Sequence, residues 1–103
     1  MKQVVRQNMY YYVYILAAGY NSTLYIGMTS NLPRRIWEHK NKIADGFTKK
    51  YEVDRLVYYE MHEDVQEALR REKSMKRWSR SMKISAIERE NPHWEDLYYT
   101  LNA

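Results

Sequence analysis

Tyr12-Val13-Tyr14-Ile15-Leu16 and Leu24-Tyr25-Ile26-Gly27 decide how this chain folds. Both runs are rich in aromatic and β-branched residues, which suit a pleated, half-buried surface. Gly19, Asn21 and Ser22 lie between them. Two alternating runs joined by turn formers read as a β-hairpin, and therefore as an antiparallel pair. In the first strand, expected over 10–17, Tyr10, Tyr12, Tyr14 and Leu16 share one face, with Tyr11, Val13 and Ile15 on the other. In the second, expected over 23–28, Leu24 and Ile26 share a face, and Tyr25 and Gly27 point the opposite way.

Beyond the hairpin, Ser30 or Asn31 can cap a helix and Pro33 is tolerated in its first turn. Leu32, Ile36 and Ile43 form a stripe at helical spacing, so this helix is expected to reach about Ile43 and to stop at Asp45-Gly46. Residues 44–54 read as a charged loop, and Leu56-Val57-Tyr58-Tyr59 as the heart of a third strand over 54–61. A long helix is expected from Val65 to about Trp78, with Glu63 and Asp64 near its positive end, and a last one over 81–90, ended by Asn91-Pro92. Trp94 and Leu97-Tyr98-Tyr99 are expected to fold back on the body. The expectation is an α+β domain over 10–99, a small three-stranded antiparallel sheet flanked by helices, preceded by a flexible segment over 1–9.

A chain of 103 residues is one domain with a modest core. With no cysteine, disulfide frameworks and cysteine-based zinc sites are excluded. The apolar runs are too short to span a bilayer and no export signal is visible, so the cytoplasm is the expected compartment. Net charge is +4, and the segment from Arg70 to Lys83 alone carries +6, leaving −2 on the rest. Such a stripe marks a phosphate-backbone binder or a solvated helix face.

Polar residues on core-facing positions are the informative ones. His39 falls inside the stripe of the first helix, and Arg35 lies one turn earlier on the same side. Arg34 points elsewhere, toward solvent or a phosphate. In the long helix Glu72 interrupts the apolar series Val65, Ala68, Leu69 and Met75. A carboxylate there needs a partner, either a basic residue such as Arg35 or a divalent cation. Tyr14 and Tyr25 are expected to bring their hydroxyls to the mouth where Arg35, His39 and Glu72 converge. Gly27 is expected to leave the backbone open to a phosphate.

These residues resemble the GIY-YIG nucleases, in particular their small stand-alone members similar to the excision-repair nuclease domain, from about Tyr11 to Leu97. The first motif is present as Tyr12-Val13-Tyr14, with Tyr12 where glycine is usual; the second is intact as Tyr25-Ile26-Gly27. Arg35 follows ten residues after Tyr25, and Glu72 sits on a later helix. The resemblance implies hydrolysis of DNA phosphodiester bonds with one Mg²⁺ or Mn²⁺, in DNA repair, recombination or nucleic-acid processing. It implies Glu72 as metal ligand, Arg35 as the phosphate clamp, and Tyr14 as a positioning group. Tyr25 would be the general base or the group that orients the attacking water, with His39 near that water. A phenol ionises near pH 10 and an imidazole near 6.5, so both Tyr25 and His39 stand as candidate bases. Arg34, Lys73, Lys76, Arg77 and Arg80 are the expected nucleic-acid contacts. DNA and RNA are both open as partners, and specificity would come from the basic helix, a homodimer or a partner protein. The competing expectations are a weak or inactive nucleic-acid-binding module on the same scaffold, and a protein adaptor built on exposed aromatics.

Overall fold

In the computed structural model, residues 9–44 and 46–101 are described; the expected flexible segment, apart from Met9, and Asp45 lie outside them. The hairpin forms as β1 (Tyr11–Ala17) and β2 (Leu24–Thr29). Its register sets Tyr14 opposite Gly27 and Leu16 opposite Tyr25. The third strand, β3 (Arg55–His62), pairs antiparallel with the other side of β1, giving the sheet order β2-β1-β3. The fold is the expected α+β arrangement on a three-stranded antiparallel sheet.

Strand alternation divides the core into two layers. On one face Val13, Ile15, Ala17, Ile26 and Val57 pack against Ala68 and Met75 of α3 (Val65–Arg77), Ile87 of α4 (Arg80–Glu90), and Trp94. On the other, Tyr14, Leu16 and Leu56 pack against Leu32 and Ile36 of α1 (Leu32–Lys40). Leu97 and Tyr98 of a closing 3₁₀ turn (Leu97–Thr100) cover the same layer, and Trp94 is fully buried, so the C-terminal segment does fold back. The sheet is thus covered on both faces, and each face has its own helices.

Local chemistry explains the helix ends. Asn31 caps α1, its side chain accepting a hydrogen bond from the Arg34 amide at 3.3 Å. Asp64 caps α3 and Ser79 caps α4 in the same way, accepting from the Glu67 and Met82 amides. Two expectations are corrected. The first helix stops at Lys40 with Asn41 as its C-cap, so Ile43 is exposed instead of extending the stripe. The expected loop over 44–54 contains a short helix, α2 (Gly46–Tyr51), held by one buried residue, Thr48.

Candidate active site

The site begins with a steric fact. A Cβ built on Gly27 would lie 2.5 Å from the Tyr14 hydroxyl oxygen and 2.6 Å from its Cζ. Real Cβ atoms do not come so close, so a glycine here lets the Tyr14 ring lie across β2. This corrects the expectation that Gly27 opens the backbone to a phosphate: the Tyr14 phenol fills that space.

Tyr14 does not emerge at a mouth either, since it is 1% exposed. Its hydroxyl lies 3.1 Å from His39 Nε2, and His39 Nδ1 lies 3.0 Å from Thr48 Oγ1 of α2. Arg35, one turn before His39, also bonds the Tyr14 hydroxyl. A guanidinium can only donate, so the phenol oxygen accepts from Arg35 and shares a second hydrogen bond with His39 Nε2. Arg35 Nη1 donates to Glu38 Oε1 at 3.0 Å. Burial lowers the Arg35 pKa, but the bonds to Tyr14 and Glu38 outweigh it and leave the guanidinium above its usual value. The same bond from Arg35 holds the Glu38 carboxyl below its usual value.

Tyr25 emerges from the same sheet face and is partly exposed. Its ring meets His39 edge-on at 5.5 Å and stacks against Phe47 of α2 at 6.1 Å. Tyr14, Tyr25, Arg35 and His39 are thus one contiguous group. Of these four, Arg35 lines a polar cleft of about 560 Å³, together with Met28, Thr29, Ser30, Asn31, Arg34 and Glu38. The Arg35 side chain is 32% exposed there.

Glu72 is placed differently. It lies between Ala68 and Met75 on α3, whose core contacts are on the opposite face of the sheet from Tyr14 and Tyr25. Its side chain is 19% exposed, and its ion-pair partner is Lys76 at 3.3 Å; Arg35 pairs with Glu38 instead. The link between the two faces is the edge strand β2. Met28 lines the cleft beside Arg35 and also packs with the cluster that holds Ala68 and Met75. Helix α3 and Arg35 therefore reach the β2 edge from opposite faces, and Glu72 does not line the cleft. No group of three or more His, Cys, Asp or Glu side chains is placed to hold a metal among the described residues.

The basic residues divide by use. Arg34 is exposed at the cleft and pairs with Glu38 at 3.5 Å. Lys73 and Arg77 line an open hollow with Arg70 at the α3–α4 junction. Lys76 is engaged by Glu72. Arg80 donates to Asn21 Oδ1 and to the Ser22 carbonyl, tying α4 to the hairpin turn. Sequence reasoning missed Glu38, Thr48 and Phe47. Glu38 lies three residues after Arg35 on one helix, which could have flagged it. Thr48 and Phe47 belong to the helix that was read as loop. Asn91, which closes the expected last helix, is buried and braces the C-terminal segment, donating to the Val57 and Glu95 carbonyls.

Comparison with known proteins agrees with the fold. Residues 10–85 match the GIY-YIG catalytic domain. A UPF0213 protein of Syntrophus aciditrophicus is 38% identical over 82 residues, covering 79% of this chain and 92% of that protein. A UPF0213 protein of Staphylococcus haemolyticus is 41% identical over 78 residues, covering 76% and 94%. The solution NMR structure of a UPF0213 protein from Bacillus halodurans is similar with a TM-score of 0.53 at 30% identity, covering 85% of this chain and 93% of that one.

Proposed function

We propose that this chain, which belongs to the GIY-YIG catalytic domain family, is a metal-dependent endonuclease that hydrolyses DNA phosphodiester bonds in repair, recombination or related processing. The observation that carries the reading is Arg35: a guanidinium braced by Tyr14 and Glu38 yet still open to a polar cleft. Its remaining N–H groups suit the oxygens of a phosphate, and a planar fork so fixed stabilises charge as it develops. Arg34, with a more exposed side chain, adds a second cation at the same opening.

Tyr25 is the group we assign as base. It lies on the sheet face that carries Tyr14 and is partly exposed, whereas His39 is 1% exposed with Nε2 already bonded to Tyr14. An ordinary phenol is neutral at pH 7, so Tyr25 would take the water proton only as its own hydroxyl proton passes to a phosphoryl oxygen of the substrate, in step with attack. Tyr14 and His39 act through Arg35, holding its guanidinium in place.

Glu72 is the assigned metal ligand. One carboxylate suits Mg²⁺ or Mn²⁺, which keep several waters and take further oxygens from a bound phosphate, and does not suit zinc. Lys76 must then release Glu72, which its exposed side chain permits. A bound cation would neutralise a phosphoryl oxygen and assist the leaving group. Lys73 and Arg77 continue along α3 as contacts to the phosphate backbone.

The test is a cleavage panel: plasmid, branched DNA, single-stranded DNA and RNA, each with Mg²⁺, Mn²⁺ or EDTA, beside Glu72→Gln to expose contaminants. Metal-dependent nicking by the wild type alone is expected. The weak-binding-module reading is favoured by one observation, the location of α3 on the sheet face away from Tyr25. Salt-sensitive binding with no cleavage of any substrate would establish it instead.

A further inference from the structure

Helix α2 keeps two large rings in water. Phe47 and Tyr51 are four residues apart on one side of it, with centroids 5.0 Å apart, and are 44% and 50% exposed. A helix of six residues has little stability of its own, and burying these rings would help it. They stay exposed, and they are continuous with the site: Phe47 stacks on Tyr25, the two planes 26° apart. An aromatic row therefore leads from the group assigned as base out to solvent.

Its surroundings are cationic. Lys49 and Lys50 lie on the same helix, which has no acidic residue, and Lys50 Nζ sits 5.4 Å from the Tyr51 centroid. The next acid along the chain, Glu52, is paired with Lys42 at 3.5 Å. Half-exposed aromatic rings interleaved with lysines match the chemistry of a nucleotide, a flat base joined to an anionic phosphate. A base inside a duplex has both faces covered by its neighbours, so only an unpaired base can use such a surface.

We propose that Phe47 and Tyr51 form a stacking platform for an unpaired nucleotide beside the phosphate held by Arg35, so that this protein acts on single-stranded or locally opened nucleic acid. The proposal rests on the nuclease reading and names its substrate class.

The experiment uses the full chain and a short oligothymidylate carrying one 2-aminopurine, with a blunt duplex of matched length as comparison. Stacking on an aromatic ring quenches that fluorophore. Phe47→Leu and Tyr51→Ala should each weaken single-strand binding roughly tenfold and leave duplex binding within about twofold. Phe47→Trp should retain both affinity and quenching, and circular dichroism melts check that every variant folds. Unchanged single-strand affinity and quenching in Phe47→Leu and Tyr51→Ala would overturn the platform. So would equal losses on both probes, or loss of wild-type self-association in these variants without an effect on DNA. Wild-type cleavage is scored in parallel. Cleavage with an indifferent platform refutes only this inference, whereas absent cleavage with intact quenching refutes only the nuclease reading.

Discussion

Each face of the sheet carries a polar cluster, and the two differ in what is left over. Under α3, Glu60 accepts from the Tyr58 hydroxyl at 2.6 Å, from His62 Nε2 at 2.6 Å and from Arg71 Nε at 2.8 Å. Arg71 in turn lies over the Trp78 ring at 4.8 Å. Burial works to raise the Glu60 pKa, but its three donors outweigh that and hold it below the usual value. Burial, with the bond to Glu60, pushes the Tyr58 phenol up to about 12. This cluster is closed around its acid, whose three donors lock a helix onto a strand, while Arg71 itself stays 38% exposed at the hollow it lines with Trp78. Under α1, Arg35 spends some donors on Tyr14 and Glu38 and turns the rest to an open cleft. Partly buried charge by itself does not mark a site.

That contrast can be broken at several points. Arg35→Ala and Glu72→Gln should each abolish cleavage, a loss of about a thousandfold or more, while thermal melts stay near the wild type. Full activity in either purified variant would refute the assigned roles. Tyr25→Phe should fall about a hundredfold; a small effect would return the base role to His39. Gly27→Ala should displace the Tyr14 ring from His39 and lower both activity and melting temperature, because no Cβ fits beneath that phenol. A variant indistinguishable from wild type in both would remove Tyr14 from the account.

On the closed side the expected effects are on stability alone. Glu60→Gln should cost about 2–3 kcal/mol in urea unfolding at neutral pH, with cleavage unchanged in the folded protein. Its pH dependence has a definite sign. The folded pKa of Glu60 lies below its usual value of 4.5. The stabilisation it provides is complete above that value and disappears as the pH falls through the folded one. Wild type should therefore lose stability in acid more steeply than Glu60→Gln, and parallel curves would show that Glu60 is not a lock. The smallest effect is expected on α3: Lys73→Ala and Arg77→Ala should each reduce the salt slope of DNA binding by about one, with little change in kcat.

Much of the fold was legible because the signals that encode it are local. Alternation marked the hairpin, and Asn31, Asp64 and Asn91 punctuated the helices near where they begin or end. Helix α2 was not legible, since Gly46-Phe47-Thr48-Lys49-Lys50-Tyr51 buries only Thr48 and shows no apolar period. Ile43 misled for the opposite reason: it has the right spacing, but the chain leaves the helix at Asn41 before reaching it. The pairing of Tyr14 with His39 and Arg35 was foreshadowed by the turn that separates Arg35 from His39. The closed Glu60 cluster was not, because it joins a strand to a helix that only packing brings together.

The sequence by itself determined the hairpin, a tyrosine on each of its strands, the helix carrying Arg35 and His39, and a carboxylate set into an apolar helical stripe, because backbone periodicity and capping act over a few residues. Only the tertiary structure decided that Tyr14 lies buried over Gly27, that α1 and α3 cover opposite faces of the sheet, and that Glu72 sits on the helix of the far face, paired with Lys76. Those outcomes depend on which strand edge each connection crosses and which face each helix buries, and no short stretch of chain carries that information.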